Sequence, residues 1–149
     1  MEPKLGNASE GKEKLNIKVL VADDTPSVLR VTTLFLERMG YTVETAKSGQ
    51  ELLDKLAQAE EGEYGLIITD NTMLVNEKPA MTGIEALKRI RKDDRFEKFK
   101  RVPVIVSTAD TPEEVGRVIE AEGGVYGSKP FTMEEFQETV QKAMERKGA

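Results

Sequence analysis

Cysteine and histidine are both missing from the 149 residues. Without cysteine there is no disulfide framework and no thiolate chemistry. Without either residue, any metal site must be built from oxygen ligands. Long hydrophobic runs are missing too: no apolar stretch approaches the roughly 20 residues a membrane-spanning helix needs. The opening "MEPKLGNASEGKEKLN" lacks the apolar centre of a secretory signal. Positive charge is in deficit, with 22 basic against 27 acidic residues for a net charge of −5, which argues against general nucleic-acid binding. These absences together lead to the expectation of a cytoplasmic protein with no membrane and no direct nucleic-acid partner.

What remains suits one domain. The chain is of single-domain length, 38% hydrophobic residues suffice for one core, and 33% charged residues indicate a polar surface. Residues 1–15 are polar and glycine-containing and read as a flexible N-terminal tail. From residue 16 to about 147, short apolar runs alternate with amphipathic stretches. "IKVLVA" (17–22), "YTVETA" (41–46), "GLIITD" (65–70), "VPVIVST" (102–108) and "VYGS" (125–128) read as strands. Helices are expected at 26–40, with Pro26 in the first turn and Gly40 as the stop, and at 48–61, with Leu52, Leu53, Leu56 and Ala57 on one face. Three more follow: 82–92, 111–124 with Thr111 as N-cap, and 132–148 with a Thr132–Glu135 capping box.

Five strands and five helices in strict alternation require parallel strands, and continuous apolar runs mean that both faces of the sheet are covered. The fold class is α/β, a doubly wound (βα)5 sheet. The basic stretch "KRIRKDDRFEKFKR" (88–101), with eight cationic and three acidic side chains, reads as a solvated helix end and loop, with a docking patch for an acidic partner as the alternative.

In such sheets, functional groups gather at the carboxyl ends of the strands. Asp23 and Asp24 follow the first strand, and Asp70 ends the third. Ser107 and Thr108 end the fourth, and Lys129-Pro130 follows the fifth. Each has an ordinary explanation alone, as a helix start, a turn or a loop. Their joint arrival at one edge does not. Three neighbouring carboxylates repel one another unless a cation sits among them. An all-oxygen set selects a hard ion, and Mg²⁺ suits one or two carboxylates plus waters. A divalent ion beside a lysine neutralises a transferring phosphoryl group, and a carboxylate can take that group as an aspartyl phosphate.

The motifs "VLVADD", "LIITD", "VPVIVSTAD" and "YGSKPF", in this order and spacing, make residues 16–147 resemble the receiver domain of two-component response regulators, of the stand-alone single-domain type. The resemblance implies a flavodoxin-like strand order 2-1-3-4-5. It implies Asp70 as phosphoacceptor, and Asp23, Asp24, Asp70 and the backbone carbonyl of Thr72 as Mg²⁺ ligands, Asp24 being the more direct of the acidic pair. Thr108 matches the switch hydroxyl and Tyr126 the aromatic switch. Lys129 matches the phosphate-contacting lysine, joined to Pro130 by a bond that is typically cis. The implied partners are a histidine kinase or phosphotransfer protein, and a downstream protein docking on the face of helix 4, strand 5 and helix 5. The domain itself is not an enzyme in the ordinary sense, but promotes its own phosphorylation and dephosphorylation. Nothing but "KGA" follows the last helix, so docking or phosphorelay is the expected output.

One departure stands out. The family usually carries Met-Pro after the acceptor and reaches its glycine about five residues sooner. Here Leu74 follows Met73, Gly83 lies 13 residues after Asp70, and "VNEKPA" looks inserted. That segment is expected either to gate the site or to contact a partner. Three other readings compete. A flavodoxin-like FMN binder conflicts with two carboxylates at the phosphate position. An aspartate-nucleophile phosphatase needs two aspartates one residue apart, where Thr25 stands. An interaction module that no longer needs phosphate would keep the same fold.

Overall fold

The computed structural model describes residues 17–109 and 112–146. The expected tail at 1–15 and the expected N-cap Thr111 lie outside the described residues. β1 (Lys18–Ala22), β2 (Thr42–Ala46), β3 (Leu66–Asp70), β6 (Val104–Thr108) and β7 (Val125–Ser128) form one sheet, and all its pairings are parallel. The spatial order β2-β1-β3-β6-β7 is the flavodoxin-like arrangement. Between them run α1 (Pro26–Arg38), α2 (Gly49–Gln58), α3 (Gly83–Lys92), α4 (Pro112–Ala121) and α5 (Met133–Glu145).

The sheet separates two apolar layers because alternate residues of each strand point to opposite faces. Leu20, Ile67, Val104 and Val106 meet Leu52, Leu53 and Leu56 of α2 and Ala86, Leu87 and Ile90 of α3 on one side. Val19, Val21, Leu66, Ile68 and Ile105 meet Leu36 of α1 and Phe136, Val140 and Ala143 of α5 on the other. β3 and β6 are buried along their whole length, as central strands of a two-sided sheet must be. Ala57, expected on the inner face of α2, is exposed; Ala59, just beyond the helix, is buried instead.

Helix starts follow the sequence signals. Thr82 and Thr132 each accept a hydrogen bond from the backbone N–H of the glutamate three residues on, while Glu85 and Glu135 accept from the backbone N–H of their threonine. These reciprocal boxes satisfy two otherwise orphaned donors per helix.

Two elements go beyond simple alternation. Residues 94–99 form a 3₁₀ segment (Asp94–Phe99) that buries Phe96 and Phe99, with Phe99 against Tyr64 at a centroid distance of 6.1 Å. The basic stretch around them is therefore partly core. The connection after β3 contains a small hairpin, β4 (Leu74–Val75) against β5 (Lys78–Pro79), paired antiparallel. Its turn residues Asn76 and Glu77 both take positive φ, 52° and 64°, as a two-residue type I′ hairpin turn requires.

Candidate functional site

The three carboxylates predicted from strand ends do converge: Asp23, Asp24 and Asp70 each offer an oxygen, all within 4.8 Å of one another. Adjacent parallel strands make this unavoidable. Ala22, the last residue of β1, pairs with Thr69, next to Asp70 at the end of β3, so both chains leave the sheet at one level. Lys129 arrives from the end of β7, its ammonium 3.0 Å from Asp70 Oδ1 and 3.3 Å from Asp23 Oδ2. Its peptide bond to Pro130 is cis, in agreement with the expectation.

Each carboxylate has its own environment. Asp23 is buried; its Oδ1 accepts from the Thr25 backbone N–H at 3.0 Å while Oδ2 faces Lys129. Asp24 is half-buried, and its Oδ2 accepts from the Leu74 backbone N–H at 2.9 Å. Asp70 retains only 8% of its exposure. Burial, and then the charge of Asp23, push the Asp70 carboxyl from 3.8 up to about 6, against the opposing pull of Lys129. Burial alone would lower the Lys129 ammonium, but the hydrogen bond to Asp70 and the charges of Asp23 and Asp70 hold it above the ordinary lysine range.

The remaining expected residues occupy the same edge. Ser107 pairs with Asp70 across β3 and β6, and Thr108 follows it as the buried end of β6. Tyr126, in β7, is half-buried and packs against the α2–α3 side of the core, its ring beside Gly116 of α4. Thr72 lies exposed between Asp70 and the hairpin.

Two positioning residues carried no obvious signal. Asn71 accepts from the Ile84 N–H through its side chain at 3.1 Å and from the Gly83 N–H through its carbonyl at 2.9 Å. It thereby docks the start of α3 onto the end of β3. Gly83 is needed for this approach, because a Cβ there would lie 2.6 Å from the Asp70 carbonyl oxygen. An asparagine next to a strand-end aspartate is a capping candidate, but its partner lies 13 residues away, beyond any local motif.

The donor set fits a hard divalent cation. It is all oxygen, anionic and partly screened from water, and two negative charges remain after Lys129 is counted against the three carboxylates. A five-stranded parallel sheet in this order, with an acidic cluster and a lysine at its carboxyl edge, defines an α/β protein of the flavodoxin-like class. The comparisons agree. A family model described as the response regulator receiver domain matches residues 19–141. The chain is 33% identical over 134 residues to the chemotaxis protein CheY-3 of Vibrio cholerae serotype O1, covering 88% of this chain and 94% of that protein. The solved structure of the chemotaxis response regulator CheY4 of Vibrio cholerae aligns with a TM-score of 0.71 at 33% identity, over 85% of this chain and 98% of that one. The response regulator TrrA of Thermotoga maritima, solved in complex with Mg²⁺–BeF, aligns with a TM-score of 0.68 at 29% identity, over 85% and 98%. The chain belongs to the response regulator receiver domain family of two-component signalling.

Proposed function

We propose that residues 16–147 form a phosphorylation-dependent signalling switch that accepts a phosphoryl group on Asp70 from a histidine kinase, a phosphotransfer protein or a small phosphodonor. The observation that carries this reading is the buried Asp70 carboxylate held between two further aspartates and a lysine within hydrogen-bonding distance. Asp70 is the only one of the three that sits at the centre of the sheet edge with the lysine at 3.0 Å, which is where an in-line nucleophile belongs.

In the transfer, an Asp70 carboxylate oxygen forms a bond to phosphorus as the bond from phosphorus to the donor's nitrogen or oxygen breaks, and the donor leaves with that electron pair. Asp23, Asp24, Asp70 and the Thr72 carbonyl are the groups that would hold Mg²⁺, which supplies positive charge to the transferring phosphoryl oxygens when bound. Lys129, 3.0 Å from Asp70 Oδ1, would contribute a further positive charge to the transferring group. Burial keeps competing water down and strengthens both interactions.

The new dianionic group draws the Thr108 hydroxyl toward it, and Tyr126 follows into the space vacated, changing the face formed by α4, β7 and α5. A downstream protein reads that face, or the phosphoryl group passes on to a relay partner. Attack by water on the same phosphorus resets the switch. We place the protein in the cytoplasm, where such donors are found; among the described residues no helix is long and apolar enough to cross a membrane.

The test is intact-mass analysis after incubation with acetyl phosphate and Mg²⁺. The wild type gains one phosphoryl group, while Asp70→Asn and samples stripped of metal do not. An unmodified wild type, with a kinase also supplied, leaves a phosphate-independent interaction module as the better reading.

A further inference from the structure

Leu74 pairs with Pro79 at a position of the hairpin that makes no ladder hydrogen bond, so its N–H points outward. It donates to the one carboxylate of the trio that has no other short contact among the described residues. Asp23 is bound by the Thr25 N–H and by Lys129, and Asp70 by Lys129. Among the described residues, Asp24, half-exposed at the start of α1, has only a 3.4 Å contact with the Thr25 hydroxyl besides the 2.9 Å bond from Leu74. A surface carboxylate with one long contact rotates freely among rotamers, and holding it in one orientation otherwise costs entropy on ligation.

We infer that the hairpin is a positioning device for the metal site: its Leu74 N–H orients and stabilises the Asp24 carboxylate for ligation. This rests on the Mg²⁺-dependent reading above. The hairpin is built to deliver that donor rigidly. Met73 is fully buried at its base, Met81 packs against Gly49 at the start of α2, and the Ala80 N–H donates to the Met73 carbonyl across the neck. The donor occupies one of about four lone-pair positions of the carboxylate, leaving the others for a cation. Hydrogen bonds of this kind orient metal ligands, and their loss typically weakens metal binding by about 10–100-fold. Reciprocally, a bound cation makes the hairpin harder to open.

Proline at position 74, the residue expected from the family pattern, has no N–H and cannot make the bond. The experiment is therefore a calorimetric Mg²⁺ titration of the full chain as wild type, Leu74→Ala and Leu74→Pro, with folding checked by circular dichroism. Leu74→Ala keeps the donor and should bind as the wild type does. Leu74→Pro should bind about tenfold more weakly. Equal or tighter binding by Leu74→Pro overturns the inference while leaving the phosphoacceptor reading intact. Absence of Mg²⁺ binding by the wild type overturns both. A second measurement does not depend on the proline variant folding: amide hydrogen exchange at Leu74 should be slowed by Mg²⁺ in the wild type and accelerated in Asp24→Ala. Exchange at Leu74 that ignores both changes refutes the role.

Discussion

Charge is concentrated at both ends of this sheet, but in opposite relation to its surroundings. At the amino-terminal end Arg91 of α3 is partly buried, and its guanidinium donates to the Gly123 carbonyl through Nη2 at 2.8 Å and to the Lys100 carbonyl through Nη1 at 3.0 Å. Those acceptors close the C-terminus of α4 and the end of the 3₁₀ segment, where cations are favoured. At the carboxyl end Asp70 is buried against like charge, with a single lysine as relief. The first arrangement is satisfied and holds the scaffold together. The second keeps like charges buried together with one partial relief, which is the mark of a functional site.

The contrast is sharpest in the absence of Mg²⁺. A carboxyl whose folded value lies above its unfolded one favours the native state when protonated. Its contribution to stability is thus fully present below about 3.8 and is lost as pH rises through about 6. The wild type should lose up to about 3 kcal/mol over that window. Asp70→Asn should remove that dependence and melt higher than the wild type at pH 7. Thermal denaturation across pH, with chelator present, checks this; added Mg²⁺ should narrow the gap.

Arg91→Ala is expected to do the reverse, destabilising by about 2 kcal/mol because the two carbonyls lose charge-assisted partners, while acetyl phosphate labelling of Asp70 stays unchanged. Chemical denaturation and intact mass together read both. Glu77→Gly should stabilise by about 1 kcal/mol, since glycine takes the positive φ that Glu77 holds under strain. Lys92→Ala should move stability by under about 0.5 kcal/mol, because its pair with Glu122, though at 3.3 Å, is open to solvent.

Strand and helix positions were legible wherever apolar period and capping agreed. β3 ends at Asp70 as "LIITD" suggests, and both capping boxes form. The carboxylate trio was legible because parallel topology forces the ends of β1 and β3 to one level. The hairpin was not, since "VNEKP" lacks the Asn-Gly or Asp-Gly pair that announces such a turn. Its positive φ values fall on Asn76 and Glu77, and glutamate gives no warning of that. Phe96 and Phe99 were hidden for another reason. Seven charged residues between Asp93 and Arg101 surround them, and only packing against Tyr64 and the end of α3 shows that the stretch faces inward.

The neck between Met73 and Ala80 is closed by a backbone hydrogen bond and anchored in the core on both sides. What lies between is thereby uncoupled from the sheet in length and composition. Evolution or a designer can lengthen, shorten or rewrite residues 75–79 as a cassette, adding a recognition epitope beside the acidic cluster without disturbing the chain that carries Asp70.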